Sequence, residues 1–167
     1  TSERKRLSVV VILPVLNEEK RIRSLVSGIF KYASGLVDEV LVVVDDGTVD
    51  RSREEAMSAG AVVLDNGPRR GVGAAIRSGI EYALERKIDV CVIMAGDSQD
   101  DPRDIPRVLE PILRGECDFV QGSRYLNGQR TVGMPLSRAF LTRLYTLGFR
   151  LVTSFPTTDA SNGFRAF

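Results

Sequence analysis

The sequence predicts an α/β domain with a largely parallel central sheet flanked by helices, and three observations carry that expectation. Short apolar, β-branched runs recur, at Val9-Val10-Val11-Ile12-Leu13, Val40-Leu41-Val42-Val43-Val44 and Val90-Cys91-Val92-Ile93-Met94. Runs of this kind, without polar alternation, read as strands buried on both faces. Between them lie stretches whose apolar residues repeat at helical spacing. Two of the runs end in acid, at Asp45-Asp46-Gly47 and Ala95-Gly96-Asp97. Carboxylates therefore collect past strand carboxyl ends, where open α/β sheets bind ligands.

The elements follow in order. The first strand is closed by Pro14, after which Asn17 is placed to cap a helix with Glu18 and Glu19 in its first turn. Ile22, Leu25, Val26, Ile29 and Phe30 form that helix's apolar face. The second strand, 40–44, leads to a short helix capped by Asp50 and running through Met57. Residues 61–64 make a third strand, and Asn66-Gly67-Pro68 a turn. Val72, Ala75, Ile76, Gly79, Ile80 and Ala83 mark a helix over 71–84. A strand at 89–94 precedes a helix over 104–113, whose Pro106 is tolerated in the first turn. Phe119-Val120-Gln121 is a last short strand.

Over 136–152, Leu136, Phe140, Leu144, Leu147 and Leu151 share one wide face, flanked by Leu141 and Tyr145 and interrupted by Arg138, Arg143 and Arg150. The plain expectation is a helix packed on the core with solvated arginines. The alternative is a helix resting on a membrane surface.

Composition narrows the function. The 167 residues are 43% hydrophobic and 27% charged, enough for one domain with a substantial core. Lys and Arg number 23 against 22 acids, a balance that argues against a generic nucleic-acid binder. Residues 1–7 read as a charged leader without a signal-peptide core, and no run approaches the ~18 to 20 apolar residues of a membrane span. Cys91 and Cys117 make no disulfide framework, as expected of a cytoplasmic protein. Histidine is absent, which removes every mechanism built on a His base or ligand. A metal would be held by oxygen, pointing to Mg²⁺ or Mn²⁺ rather than Zn²⁺.

Gly71-Val72-Gly73-Ala74-Ala75-Ile76 invites a dinucleotide reading. It follows the third strand rather than the first and carries Ile76 at the third glycine position, so a redox Rossmann fingerprint is rejected. These glycines are expected to allow close helix packing.

Pro14-Val15-Leu16-Asn17-Glu18-Glu19, Asp45-Asp46-Gly47-Thr48 and Gly96-Asp97-Ser98-Gln99, in that order, resemble the family-2 glycosyltransferases. The nearest likeness is to the dolichyl-phosphate mannose synthase branch, whose acceptors are polyprenyl phosphates. Gly71-Val72-Gly73-Ala74-Ala75, Asp101-Pro102, Gly122-Ser123-Arg124-Tyr125, Met134-Pro135 with Arg138, and Asp159 through Gly163-Phe164-Arg165 continue the pattern. The resemblance implies a GT-A-like nucleotide-binding fold over residues 8–167, truncated at its carboxyl end.

The resemblance also implies a site. Pro14, Leu16 and Glu18 would shape the nucleoside pocket, with Glu18 accepting from ribose hydroxyls, a task suited to an acceptor-only carboxylate. Asp46 would accept from a base N–H, leaving Asp45 to cap the turn in which Gly47 supplies a positive φ. The family often grips its metal with D-x-D. Here Ala95 stands in the first place, leaving Asp97 and Gln99 as ligands, with Asp100, Asp101 and Asp104 as possible substitutes. Arg124 and Arg138 would hold phosphate through paired guanidinium bonds, and Asp159 and Arg165 would border the acceptor. Asp97 and Arg124 are the expected catalytic pair.

The activity so implied is inverting, metal-assisted transfer of a hexose, mannose or glucose, from a GDP- or UDP-sugar to a polyprenyl or dolichyl phosphate. Such a phosphate is already anionic, so a chain without His needs no general base for it. A saccharide hydroxyl acceptor would need one, and Asp159 could serve. Ala95 admits a second class, a nucleotide-sugar-binding module with little or no turnover. A nucleotidyltransferase is disfavoured by the acidic rather than basic loop after the first strand. The acceptor class implies a location peripheral to, or anchored at, the cytoplasmic face of a membrane.

Overall fold

A computed structural model describes residues 6–67, 71–123, 136–154 and 157–167, with the backbone alone described over 136–139. Strands β1 (Val9–Val15), β2 (Glu39–Val44), β3 (Val62–Asp65) and β4 (Val90–Ile93) are mutually parallel, while β6 (Arg165–Ala166) runs antiparallel between β4 and β5 (Val120–Gln121). Among the described residues the sheet order is β3-β2-β1-β4-β6-β5. The order reverses beside β1. Val15 lies opposite Val44 and Ile12 opposite Ile93, so the carboxyl ends of β1, β2 and β4 share one edge at that switch point.

Alternate β1 residues face opposite layers. Val9, Val11, Leu13 and Val15 join α1 (Ile22–Tyr32), α2 (Ser52–Ser58) and α4 (Ile105–Leu113) in one core. Val10 and Ile12 pack on the other side with Ala75, Tyr82 and Ala83 of α3 (Val72–Glu85). Burial on both faces is why these strands are unbroken apolar runs. Gly79 is required where α3 meets β1: a Cβ there would stand 2.5 Å from Ile12 Cγ2.

Several local expectations change. Helix α1 begins at Ile22 with Arg21 as its N-cap, so Asn17 caps nothing and the two glutamates precede the helix. Asn17 instead takes φ 55° and its Oδ1 accepts from the Val49 amide, 2.9 Å away. Asn tolerates the left-handed region because its short side chain bonds locally. The turn at Gly47 forms without positive φ. A 3₁₀ turn, Pro102–Asp104, precedes α4, which starts at Ile105.

The largest difference concerns α5 (Leu136–Thr153). Phe140, Leu141, Leu144, Tyr145, Leu147 and Leu151 are all exposed, and neither core contains a described α5 side chain. The core-packing expectation is therefore overturned for the described part of this helix. Among its described side chains the buried one is polar: Thr146 Oγ1 accepts from the Ala160 amide at 3.2 Å.

At the opposite end of the sheet, Tyr82 is buried and donates to Glu39 while the Arg86 guanidinium lies 3.8 Å from its ring centroid. Burial, then the Glu39 hydrogen bond and charge, push the phenol up to about 12, against the opposing Arg86 charge. The folded chain thus holds this proton more tightly than the unfolded chain. Its stability contribution is complete below pH ~10 and is lost as pH rises towards 12. Alkaline melts should show that fall, and Tyr82→Phe should flatten it. An unchanged slope in the variant would contradict the assignment.

Candidate active site

At the switch point, β1 and β4 end against the start of α3 and enclose a cleft of about 390 Å³. Pro14, Leu16, Glu18 and Asp97 line it, together with Asp45 and Gly71. Four of the expected donor-site residues, from two stretches of sequence some eighty residues apart, therefore meet in one place. The approach of the two strand ends depends on Gly96, where a Cβ would sit 2.6 Å from the Pro14 carbonyl oxygen.

Asp46 is exposed on the loop after β2 and does not line the cleft, whereas its neighbour Asp45 does. Asp45 also performs the turn role expected of it, its Oδ1 accepting from the Gly47 amide at 3.1 Å. Glu18 is tied to Arg21, Oε2 to Nη1 at 3.0 Å. That bond leaves the second carboxylate oxygen available to a ligand hydroxyl.

Asp97 and Gln99 form a tight pair. Asp97 Oδ1 accepts from the Gln99 amide at 3.1 Å and Oδ2 from Gln99 Nε2 at 2.6 Å, across Ser98 at φ 63°. No group of three His, Cys, Asp or Glu side chains poised for a metal occurs among the described residues. One carboxylate beside one amide oxygen nevertheless fits Mg²⁺ or Mn²⁺. Such ions ordinarily take one or two protein carboxylates and complete their shell with substrate phosphate and water.

The other acids are engaged elsewhere. Asp100 Oδ2 accepts from the Ala95 amide at 3.0 Å. Asp101 binds the Arg103 amide and guanidinium, and the hydrogen bond from that guanidinium holds its carboxyl below the usual range. Asp104 pairs with Arg107 at 3.3 Å.

Of the expected acceptor residues, the side chains of Asp159 and Arg165 are described. Asp159 is fully buried, with Ser161 Oγ donating to its Oδ1 at 3.1 Å, and Arg165 donates to the carbonyls of Gly163 and Asn162. Neither lines the cleft. Arg124, with Tyr125, Met134 and Pro135, lies outside the described residues, as does the side chain of Arg138.

The sequence model for glycosyl transferase family 2 matches residues 10–167. The chain belongs to glycosyl transferase family 2. The GT-A architecture expected from its motifs is the one its structural neighbours share. This family 2 chain is 31% identical over 166 residues to an undecaprenyl-phosphate mannosyltransferase of Micrococcus luteus, covering 96% of this chain and 66% of that protein. It is 33% identical over 141 residues to a dolichol-phosphate mannosyltransferase of Pyrococcus furiosus, covering 82% and 39%. Its fold superposes with TM-score 0.75 and 25% identity on glucosyl-3-phosphoglycerate synthase of Mycobacterium tuberculosis, solved with Mn²⁺, UDP-glucose and phosphoglyceric acid. That match covers 96% of this chain and 56% of the synthase. The chain thus spans between about two fifths and two thirds of these relatives.

Sequence reasoning missed Asp45 as a lining residue and the partners of Asp50. The signal for Asp50 was its spacing from Ser52, a common Asx-turn interval.

Proposed function

We propose that this domain transfers a hexose from a UDP- or GDP-sugar to a polyprenyl phosphate, with inversion. The observation that carries the reading is the single cleft lined by Pro14, Leu16, Glu18 and Asp97 at the carboxyl ends of β1 and β4. The mannosyltransferase relatives, named for polyprenyl-phosphate acceptors, support the acceptor class.

In this reading Glu18 accepts from the donor's ribose hydroxyls and Pro14 and Leu16 give its base an apolar wall. Asp97 and Gln99 would hold Mg²⁺ or Mn²⁺, which supplies neutralisation of diphosphate charge when bound. Asp97 is the chain's own fixed charge beside the leaving group. A phosphate-monoester nucleophile arrives deprotonated, so the reaction asks the protein for alignment rather than for a base. The fully buried state of Asp159 fits that economy. Arg124, Arg138 and Arg165 are proposed to hold acceptor phosphate, Arg being suited to bidentate phosphate recognition.

A membrane surface suits a lipid acceptor. The exposed apolar residues of α5, with Arg143 and Arg150 on the same helix, support a peripheral location. Among the described residues no helix is long and apolar enough to cross a membrane.

The test incubates the chain with Mn²⁺, UDP-glucose or GDP-mannose, and vesicles containing polyprenyl phosphate. The expected product is a lipid-linked hexose, formed by chain that sediments with the vesicles. Transfer to phosphoglycerate alone would replace the acceptor class, and tight nucleotide binding without transfer to any acceptor would favour the inactive module that Ala95 admits.

A further inference from the structure

We propose that Asp50 and Ser52 are positioning residues of the donor site, holding the β1–α1 loop so that Glu18 faces the cleft. The inference rests on the donor reading of that cleft. It is carried by hydrogen bonds between two loops some thirty residues apart in sequence.

Ser52 opens α2, is fully buried and lines no part of the cleft. Its Oγ accepts from the Glu18 amide at 2.7 Å and donates its one proton to Asp50 Oδ1 at 2.5 Å. The hydroxyl is therefore used in both directions. Asp50 Oδ1 also accepts from the Ser52 amide at 3.0 Å, while Oδ2 accepts from the Glu19 amide at 3.0 Å. Thus one carboxylate gathers donors from both loops.

Two outer bonds flank this centre. Val49 N–H donates to Asn17 Oδ1 at 2.9 Å, and Arg51 N–H to Glu19 Oε2 at 3.1 Å. Residues 17–19 are thereby fixed by side chains and amides of residues 49–52 rather than by a helix, which starts only at Ile22. Asn17 at φ 55° marks how far this loop departs from a relaxed path.

The chemistry predicts which replacements fail. Alanine at Ser52 leaves the Glu18 amide without its acceptor and Asp50 without one donor. Asparagine at Asp50 keeps the size but can set an NH₂ where the Glu19 amide needs an acceptor. Either change frees the loop, so Glu18 must be ordered again each time a donor binds.

Hydrogen exchange of the ligand-free chain, and calorimetric binding of UDP and of GDP with Mn²⁺, test this on Ser52→Ala and Asp50→Asn. The Glu18 and Glu19 amides should exchange at least roughly tenfold faster while β2 and β4 keep their protection, and nucleotide affinity should fall roughly tenfold. Asp50→Asn decides the matter where Ser52→Ala unfolds. Unchanged exchange at Glu18 and Glu19, or equal loss of protection throughout the sheet, overturns the clasp. A wild-type chain that binds neither nucleotide overturns the donor reading, and this proposal with it, even where the exchange results hold.

Discussion

Replacing Asp97 by Asn is expected to lower hexose transfer by about 10²- to 10³-fold, the scale on which weakening the group that neutralises a leaving group's developing charge acts. Asn keeps an oxygen that can accept from the Gln99 amide, so the turn through Ser98 can persist and the melting temperature should stay near that of the wild type. What it loses is the negative charge proposed to hold Mg²⁺ or Mn²⁺ against the diphosphate. Gln99→Ala should act in the same direction but more weakly, since an amide oxygen binds such an ion less strongly than a carboxylate. Initial rates over a Mn²⁺ series measure both changes. An Asp97→Asn variant that transfers sugar at the wild-type rate would remove Asp97 from the reaction.

Gly79→Ala should destabilise the fold by about 1–3 kcal/mol, the usual result of forcing a methyl into a packed core. For a domain of this size that corresponds to a melting temperature lower by roughly 2–12 °C. The new Cβ would stand 2.5 Å from Ile12 Cγ2, and Ile12 is itself fully buried between α3 and the sheet. Ile12→Val leaves the opposing Cγ2 in place, whereas Ile12→Ala removes it, so the double variant Gly79→Ala/Ile12→Ala should lose less than the two single changes added together. Additive losses would show that the two residues do not meet. Gly96 differs, because its near neighbour is the Pro14 carbonyl rather than a flexible side chain. A side chain there must push the β1 end away, with Pro14 and Leu16 on it.

The central strands were legible because burial on both faces leaves no room for polar alternation, as Val40-Leu41-Val42-Val43-Val44 shows. Acid beyond a strand end was legible for the same reason, and it located Asp97. The choice between Asp45 and Asp46 was not, since it turns on which of two adjacent carboxylates faces inward at the end of β2. Asn17 misled because a side-chain oxygen bound to an amide 32 residues away carries the same local signature as a helix cap. The Asp50–Ser52 spacing announced a turn but not its reach to Glu18 and Glu19. Amphipathicity in α5 announced a face in search of cover without saying what covers it. The burial of Asp159 follows from how 157–162 folds against β5 and α5, through Thr157 with Gln121 and Ala160 with Thr146. No local pattern encodes such contacts.

A crystal structure of the chain with UDP or GDP and Mn²⁺ tests the central claim most directly. The nucleotide should lie in the cleft between the ends of β1 and β4, its ribose on Glu18 and its diphosphate beside Asp97. A nucleotide seated instead in the larger groove of about 790 Å³ between α1 and residues 98–103 would contradict the account.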